Sequence, residues 1–412
     1  MTSSATRREF LRQFGAAGIV SFAGLPPLFL THAAEVSSLE RNPEKHVLVL
    51  IQLAGGNDGL NTLIPHQDDA YYKARPGIAI PRNQVLKIND QLGLHPRLTG
   101  LKELYDEGKL AIVQGVGYPQ PDRSHFRSMD IWQSAQPENA NPRDGWLGRA
   151  LDWQFDRDPS LAEAMTLGTE KLPLAFVSGR VNVPTIRRKE DFQLVDGRTS
   201  ESQLRLKREV LDRVIATTPR TTGELDFLRR STATALTSAD RLKSMSGSYQ
   251  PSVEYPQTGL AEQLKLVAQM IIAELPSRMY FVSLDGFDTH AQQEAGHAAL
   301  LSELSGAIRA FEQDLSGHGA QKRVMLSTFS EFGRRVAENG SLGTDHGAAS
   351  MLFTLTPQKA GIFGNAPSLT DLDDGDPKFT TDFRKVYASF LKWLDIPAEP
   401  VLGGSFTPVD FA

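Results

Sequence analysis

The sequence predicts an α/β protein built on a mainly parallel sheet, with helices on both faces and a helical insertion. Continuous apolar runs at 46–53, 110–114 and 323–329 are typical of strands that are buried on both faces. Segments with apolar residues at helical spacing lie between such runs, and strands that alternate with helices favour a parallel sheet. Several of the runs also end in glycine or acidic residues, which is typical of a strand leading into a loop.

The elements follow in chain order. Strands are predicted at 46–53, 110–114, 174–178, 279–284, 323–329 and 351–355. Helices are predicted to start near His95, Ser124, Gln292, Arg334 and Phe383. From 190 to about 263 the chain is polar and rich in Arg and Glu, which predicts a helical insertion on one side of the sheet. We therefore expect one α/β domain over residues 34–412 that contains this insertion.

The amino terminus has the form of a twin-arginine export signal. Arg7 and Arg8 precede Phe10 and a mildly apolar run, and the small residues at 31–33 suit a signal peptidase. The apolar run contains two prolines and is shorter than the roughly 20 residues that span a bilayer. We therefore predict a signal peptide at 1–33, passage through the twin-arginine translocase, no stable membrane anchor, and a periplasmic or extracellular mature protein.

Composition excludes several kinds of chemistry. The 412 residues include 44 basic and 49 acidic residues and no cysteine. Loss of residues 1–33 removes three basic residues and one acidic residue, which moves the formal net charge from −5 to −7. We expect no nucleic-acid partner, because no basic surplus exists to replace phosphate counterions. Without cysteine the chain forms no disulfide, binds no iron–sulfur cluster and has no thiol nucleophile.

Acidic residues and histidines follow the apolar runs in the last third of the chain. Residues 285–290 are Asp-Gly-Phe-Asp-Thr-His, Glu331 follows the run at 323–329, and 345–346 is an Asp-His pair between glycines. Turn formation explains Asp and Gly after a strand, but it does not require histidine. Carboxylates and imidazoles past strand ends are typical ligands of a divalent cation such as Zn, Mn, Ca or Mg. The predicted ligands are Asp288, His290, Glu331, Asp345 and His346, with Asp285 as an alternate.

Two further segments carry candidate site residues. Asn57 and Asp58 lie in a glycine-flanked loop after the first strand, where they either form a turn or contact an anion and a metal ion. Ser124 starts a helix, so its hydroxyl is either a helix cap or a nucleophile near the positive end of the helix dipole. The adjacent Arg123 is placed to bind a phosphate or sulfate oxygen, and Arg334 is a second candidate for this role. His125 is a ligand, a base or a packed imidazole, and the sequence does not distinguish these.

These motifs together resemble the family of exported bacterial proteins called domain of unknown function 1501, grouped with the alkaline phosphatase and sulfatase superfamily. The resemblance covers nearly the whole chain. It is carried by the export signal, Asn57-Asp58, His95-Pro, Arg123-Ser124-His125, Asp288-Thr-His290, Ser-Glu331, Asp345-His346 and Asp382-Phe-Arg384.

The resemblance implies an alkaline-phosphatase-like α/β domain with one or two divalent cations. By position, Asp58 resembles the first metal-binding aspartate of the superfamily and Ser124 resembles its nucleophile. Asp288 with His290 resembles the Asp-to-His pair, Glu331 resembles the later acid at a strand end, and Asp345 with His346 resembles the last ligands.

The sequence thus predicts an exported metal-dependent hydrolase of phosphate or sulfate esters, with a small anionic ester as substrate. The alternative is a catalytically silent exported binding or assembly protein on the same fold. The motifs themselves do not separate these two functions.

Overall fold

The structure, a computed structural model, describes residues 45–157, 164–168, 171–181, 183, 185–186, 249–356 and 358–411. The predicted signal peptide at 1–33 lies outside the described residues, as does most of the predicted insertion at 190–263. The described end of that insertion is an irregular segment that leads into a helix at Gly259. No helix in the described part of the chain is both long enough and apolar enough to cross a membrane.

Fourteen strands are present among the described residues, and nine of them form one sheet. In chain order the strands are β1 (Val47–Ala54), β2 (Leu63–Ile64), β3 (Leu86–Lys87), β4 (Gly93–Leu94), β5 (Leu110–Gly117), β6 (Ala164–Leu167), β7 (Thr185–Ile186), β8 (Met279–Asp285), β9 (Val324–Phe329), β10 (Ser350–Leu355), β11 (Gly361–Phe363), β12 (Leu372–Asp373), β13 (Asp376–Pro377) and β14 (Thr381–Asp382).

Nine α-helices lie in the described part of the chain, and the longer ones pack on both faces of this sheet. They are α1 (Gly59–Thr62), α2 (Asp69–Ala74), α3 (Thr99–Asp106), α4 (His125–Ser134), α5 (Trp146–Phe155), α6 (Gly259–Ile272), α7 (Gln293–Gly317), α8 (Phe383–Trp393) and α9 (Ala398–Leu402).

The sheet is mainly parallel, as the sequence predicts. Its order is β11-β5-β10-β9-β1-β8-β6-β7, with β14 also beside β5. Only β10 runs antiparallel to its neighbours β5 and β9, while the other pairs in this sheet are parallel. The carboxyl ends of β1, β5, β8 and β9 therefore lie at one edge, where β10 begins.

Side-chain alternation along β1 divides the core into two layers. Val49 and Ile51 pack into the layer that also contains buried side chains of α3, α6 and α7. Leu48 and Leu50 pack into the opposite layer with side chains of α4, α5 and α8. A strand that is buried on both faces has a continuous apolar sequence. For this reason β1 can be predicted from the sequence alone.

Two sequence predictions are wrong. Residues 174–178 form no strand: Leu174–Phe176 is a 3₁₀ helix that buries Phe176 in the second layer, and β6 occupies the place beside β8. A short apolar run does not distinguish a strand from another buried segment. No helix begins at Arg334 either; its backbone instead forms an isolated antiparallel bridge with His346.

Candidate metal centre

Five connections bring polar side chains to the edge where the parallel strands end. Residues 55–58 follow β1, 123–125 follow β5, 286–290 follow β8 and 330–334 follow β9, while 345–346 precede β10. Open α/β sheets bind ligands at such an edge, because loops from several strands converge there.

Three imidazoles surround one carboxylate oxygen at this edge. Asp288 Oδ1 lies 3.1 Å from His346 Nε2, 3.1 Å from His290 Nε2 and 3.5 Å from His125 Nε2. The Nε2 atoms of His290 and His346 are 2.9 Å apart. Ligand atoms of His125, Asp288 and His346 all lie within 4.8 Å of one another, and the side chain of Asp288 is 48% exposed. We call these four residues the histidine cluster.

The other ring nitrogen of each histidine contacts an oxygen acceptor. His125 Nδ1 is 2.9 Å from Glu331 Oε1, and Glu331 is buried and also accepts a hydrogen bond from the Gly55 amide. His346 Nδ1 is 2.8 Å from the carbonyl oxygen of Arg123. His290 Nδ1 is 3.4 Å from Asp345 Oδ1. These acceptors favour the tautomers in which Nδ1 carries the proton and Nε2 keeps its lone pair.

This arrangement fits a divalent cation. In these tautomers the lone pairs of His290 and His346 face each other beside a carboxylate, so a cation or an additional proton is needed between them. Ligands about 2.0–2.2 Å from a tetrahedral ion lie roughly 3.3 Å from one another. The observed 2.9–3.5 Å separations match that spacing.

Electrostatics keep the central carboxylate ionised. Burial acts to raise the pKa of Asp288, but the hydrogen bond and the positive charge of the Arg334 guanidinium act in the opposite direction, and the pKa lies below its usual value. Asp288 therefore remains a carboxylate over the whole physiological pH range.

Arg334 supports the loops around the cluster from a buried position. Its Nε donates to the Gly56 carbonyl at 2.6 Å and its Nη1 donates to the Thr344 carbonyl at 2.8 Å. Its Nη2 donates to the carbonyls of Gly55 and Phe287 and to Asp288 Oδ1. The residue is only 1% exposed, so this conformation does not present Arg334 to a substrate.

Asp58 and Asn57 lie in a second, fully buried network rather than in the cluster. Asp58 Oδ2 is 2.6 Å from Arg75 Nη1 and 2.5 Å from Gln293 Nε2. Asn57 Oδ1 accepts from Thr62 and contacts His297, whose pKa burial lowers to about 4. The structure thus pairs Asp58 with a guanidinium, and this geometry does not support the roles of metal ligand for Asp58 and substrate contact for Asn57.

We predict that Asp58→Asn costs about 3–5 kcal/mol of unfolding free energy, because it leaves the buried Arg75 charge without its partner. Chemical denaturation measures the loss. The matched control is Asp69→Asn, since Asp69 pairs with Arg82 at the surface and is 93% exposed; that change should leave the stability almost unchanged. Loss of bound metal from folded Asp58→Asn protein, with stability unchanged, would instead support the ligand role.

Ser124 and Arg123 enter the site from the start of α4. Ser124 occupies the N-cap position with extended backbone angles, yet its side chain makes no capping hydrogen bond, and the residue is exposed. The Arg123 carbonyl accepts a hydrogen bond from His346, while the Arg123 guanidinium pairs with Asp374 and Asp376.

Asp285, the alternate ligand predicted from the sequence, accepts a hydrogen bond from Ser283 and lies outside the histidine cluster.

Glycines allow the loops to approach one another at two critical places. Gly55 has φ +117°, and a Cβ there would lie 2.4 Å from the Asp288 amide nitrogen. A Cβ on Gly343 would lie 2.3 Å from the carbonyl carbon of His290. Side chains at these positions would force the Asp288–His290 loop away from its neighbours.

The family comparison agrees with the sequence motifs. The family model described as "Protein of unknown function (DUF1501)" matches residues 44–355. The chain belongs to this family, and the family prediction is confirmed. None of the curated proteins compared with the chain matches it.

Solved structures that match the chain at low similarity include a sulfatase, a protein in the alkaline phosphatase superfamily and a periplasmic domain. The PsFucS1 sulfatase from Pseudoalteromonas sp. is 10% identical, with a TM-score of 0.40, over 89% of this chain and 71% of that chain. A protein in the alkaline phosphatase superfamily from Vibrio parahaemolyticus is 8% identical, with a TM-score of 0.37, over 97% and 78%. The zinc complex of the C-terminal periplasmic domain of EcEptC from Escherichia coli is 11% identical, with a TM-score of 0.34, over 80% and 76%. Similarity at this level does not define an activity.

Proposed function

We propose that this protein is an exported hydrolase of phosphate or sulfate esters that requires a divalent metal ion. The observation that carries the proposal is the convergence of three imidazole Nε2 atoms on Asp288 Oδ1, with the Nδ1 atoms held by separate acceptors. Metal-binding histidines usually donate their second ring N–H to a carboxylate or a backbone carbonyl, which is the arrangement around His125, His290 and His346.

Residues of the histidine cluster would hold the ion: His125, His290 and His346 through Nε2, and Asp288 through its carboxylate. Glu331 and Asp345, which the sequence predicts as ligands, lie against the Nδ1 atoms of His125 and His290 and would instead orient these rings, as the Arg123 carbonyl would orient His346. When bound, such an ion polarises an ester oxygen and lowers the pKa of a hydroxyl group close to it. Zn, Mn, Ca and Mg remain candidates, with three imidazoles favouring a transition metal or Zn.

Ser124 is the proposed nucleophile. It directly precedes His125, it is exposed, and its hydroxyl does not cap α4. In the proposed reaction its oxygen forms a bond to phosphorus or sulfur while the bond to the ester oxygen breaks, and the hydroxyl proton passes to solvent. The leaving alcohol takes up a proton, and water then hydrolyses the seryl ester to release phosphate or sulfate.

The test is metal analysis combined with a substrate panel. Protein exported through its own signal is purified without chelator, analysed by mass spectrometry for metals, and assayed with 4-nitrophenyl phosphate, bis(4-nitrophenyl) phosphate and 4-nitrophenyl sulfate. We expect bound divalent metal and turnover of at least one ester class that chelator abolishes. Protein that is metal-free and inactive on all three esters, even with added Zn, Mn, Ca or Mg, would leave the binding or assembly function as the better hypothesis.

Export through the twin-arginine route is part of the same proposal. We predict that replacing Arg7 and Arg8 with lysine leaves the precursor in the cytoplasm, because the signal depends on the arginine pair before the apolar run. Cell fractionation and immunoblotting measure the distribution. Lys45→Arg, which makes a similarly conservative change outside the signal, should leave export intact. Undiminished periplasmic protein in the double lysine variant would refute the route.

A further inference from the structure

A tight hairpin places one carboxylate against two arginines beside the histidine cluster. The strands β12 and β13 are joined by Asp374 and Gly375, which have φ of +50° and +88°. Two successive residues with positive φ form the type I′ turn that suits a two-residue hairpin loop. The turn presents the Asp374 side chain at the tip of the hairpin.

The two arginines bound by this hairpin both flank the cluster. Asp374 Oδ2 lies 2.8 Å from Arg123 Nη1 and 3.3 Å from Arg335 Nη2. The Arg123 carbonyl contacts His346 Nδ1, and the Arg335 amide donates to the Asp345 carbonyl at 3.1 Å. Both guanidinium groups are thus attached to the loops that carry cluster residues.

The two aspartates of the hairpin hold these arginines in different ways. Asp376 is 2% exposed, and its Oδ2 accepts from both Nε and Nη2 of Arg123 at 2.9 and 2.8 Å. Its Oδ1 has no hydrogen-bond partner and lies 3.7 Å from Arg335 Nε. The side chain of Asp374 is 74% exposed. The buried contact fixes the Arg123 guanidinium, whereas the exposed contact is screened by water and is weak.

A single oxygen of Asp374 therefore occupies the point where two guanidinium groups converge. Tetrahedral oxyanions offer several oxygens to such a pair and form stronger charge-assisted hydrogen bonds than one screened carboxylate oxygen. With Asp374 displaced, Arg123, Arg335 and Asp376 carry a net charge of +1, which favours an anion.

We propose that Arg123 and Arg335 form an oxyanion site for the phosphate or sulfate group of the substrate, and that Asp374 closes this site until the anion displaces it. This assignment rests on the proposed function for the identity of the ligand. It adds Arg335 as a substrate-binding residue. In this proposal Asp374 of the hairpin competes with the substrate anion for the two arginines.

Titration calorimetry with sodium sulfate and with inorganic phosphate tests the site directly, at constant ionic strength and on chelator-treated protein. Asp374→Asn removes the competing charge and keeps a residue that tolerates positive φ, so we expect about fivefold tighter anion binding. Arg335→Gln should weaken binding about tenfold, because one charged donor is lost.

The matched control is Asp371→Asn. Asp371 is 73% exposed and pairs with Lys378, so this variant makes the same change in net charge without touching either arginine. Its anion affinity should change less than twofold.

Three results would each overturn the proposal: no binding of either anion to wild type and Asp374→Asn, an equal gain in both aspartate variants, or unchanged binding in Arg335→Gln. Because the titration requires neither metal nor turnover, it gives its answer whether or not the protein proves to be a hydrolase. In an active protein, sulfate binding at this site should raise KM for the ester and leave kcat unchanged.

Discussion

Replacing His346 with alanine should remove the divalent metal from the purified protein and lower its melting temperature. His346 contributes one of three converging Nε2 atoms and lies 3.1 Å from the shared Asp288 oxygen. An ion that binds only the folded chain stabilises it by about 2.7 kcal/mol when present at 100 times its Kd, and the variant should lose that contribution. Metal analysis and thermal unfolding with and without chelator measure both effects.

Two other variants make this experiment specific. Glu331→Gln keeps the proposed ligand His125 but replaces the carboxylate that orients it, so metal affinity should fall about 10- to 100-fold rather than disappear. His318→Ala removes a histidine that contacts Asp314 at the end of α7, outside the cluster, and should leave the metal content unchanged. Wild-type protein that unfolds identically with added metal and with chelator would contradict the metal site itself.

The sequence predicts the edge of the sheet at which the site lies, because short stretches of sequence reveal both the strands and the residues that follow them. Buried parallel strands appear as apolar runs, and the acids and histidines that follow them lie at the same edge by topology. Asp288, His290 and His346 meet for this reason. The role of His125 is not local: its ring is oriented by Glu331, 206 residues further along the chain.

The partners of Asp58 in the buried network also cannot be predicted from the sequence. Asp58 has the residue type and the position of a metal ligand, and nothing near it in the sequence identifies Arg75 or Gln293 as its partners. Those contacts arise because α2 and the start of α7 pack against the loop after β1. His297 is buried in the same network, with its Nε2 3.0 Å from Asn57 Oδ1. Tertiary packing therefore decides which polar residues form the cluster and which are neutralised beneath it.

Ser124→Ala should abolish ester hydrolysis while leaving folding and metal content almost unchanged. An activated nucleophile stabilises the transition state of the reaction and does not stabilise the bound substrate. Loss of Ser124 should therefore reduce turnover by several orders of magnitude. The stability cost should be at or below about 0.5 kcal/mol, the low end for a lost cap, because the side chain makes no capping hydrogen bond. Turnover, melting temperature and metal content are measured on the same preparation.

Ser124→Asp separates the nucleophile from the cap. Aspartate is as good an N-cap as serine, so this variant should fold at least as well as the wild type. It should nevertheless be inactive, because it places a fixed carboxylate where the anionic group of the ester must approach. Normal metal content in both variants would show that His125, the next residue, still occupies its place in the cluster. If the alanine variant hydrolyses the ester at the wild-type rate, Ser124 is not the nucleophile, and the attacking group must instead be water or another side chain at the histidine cluster.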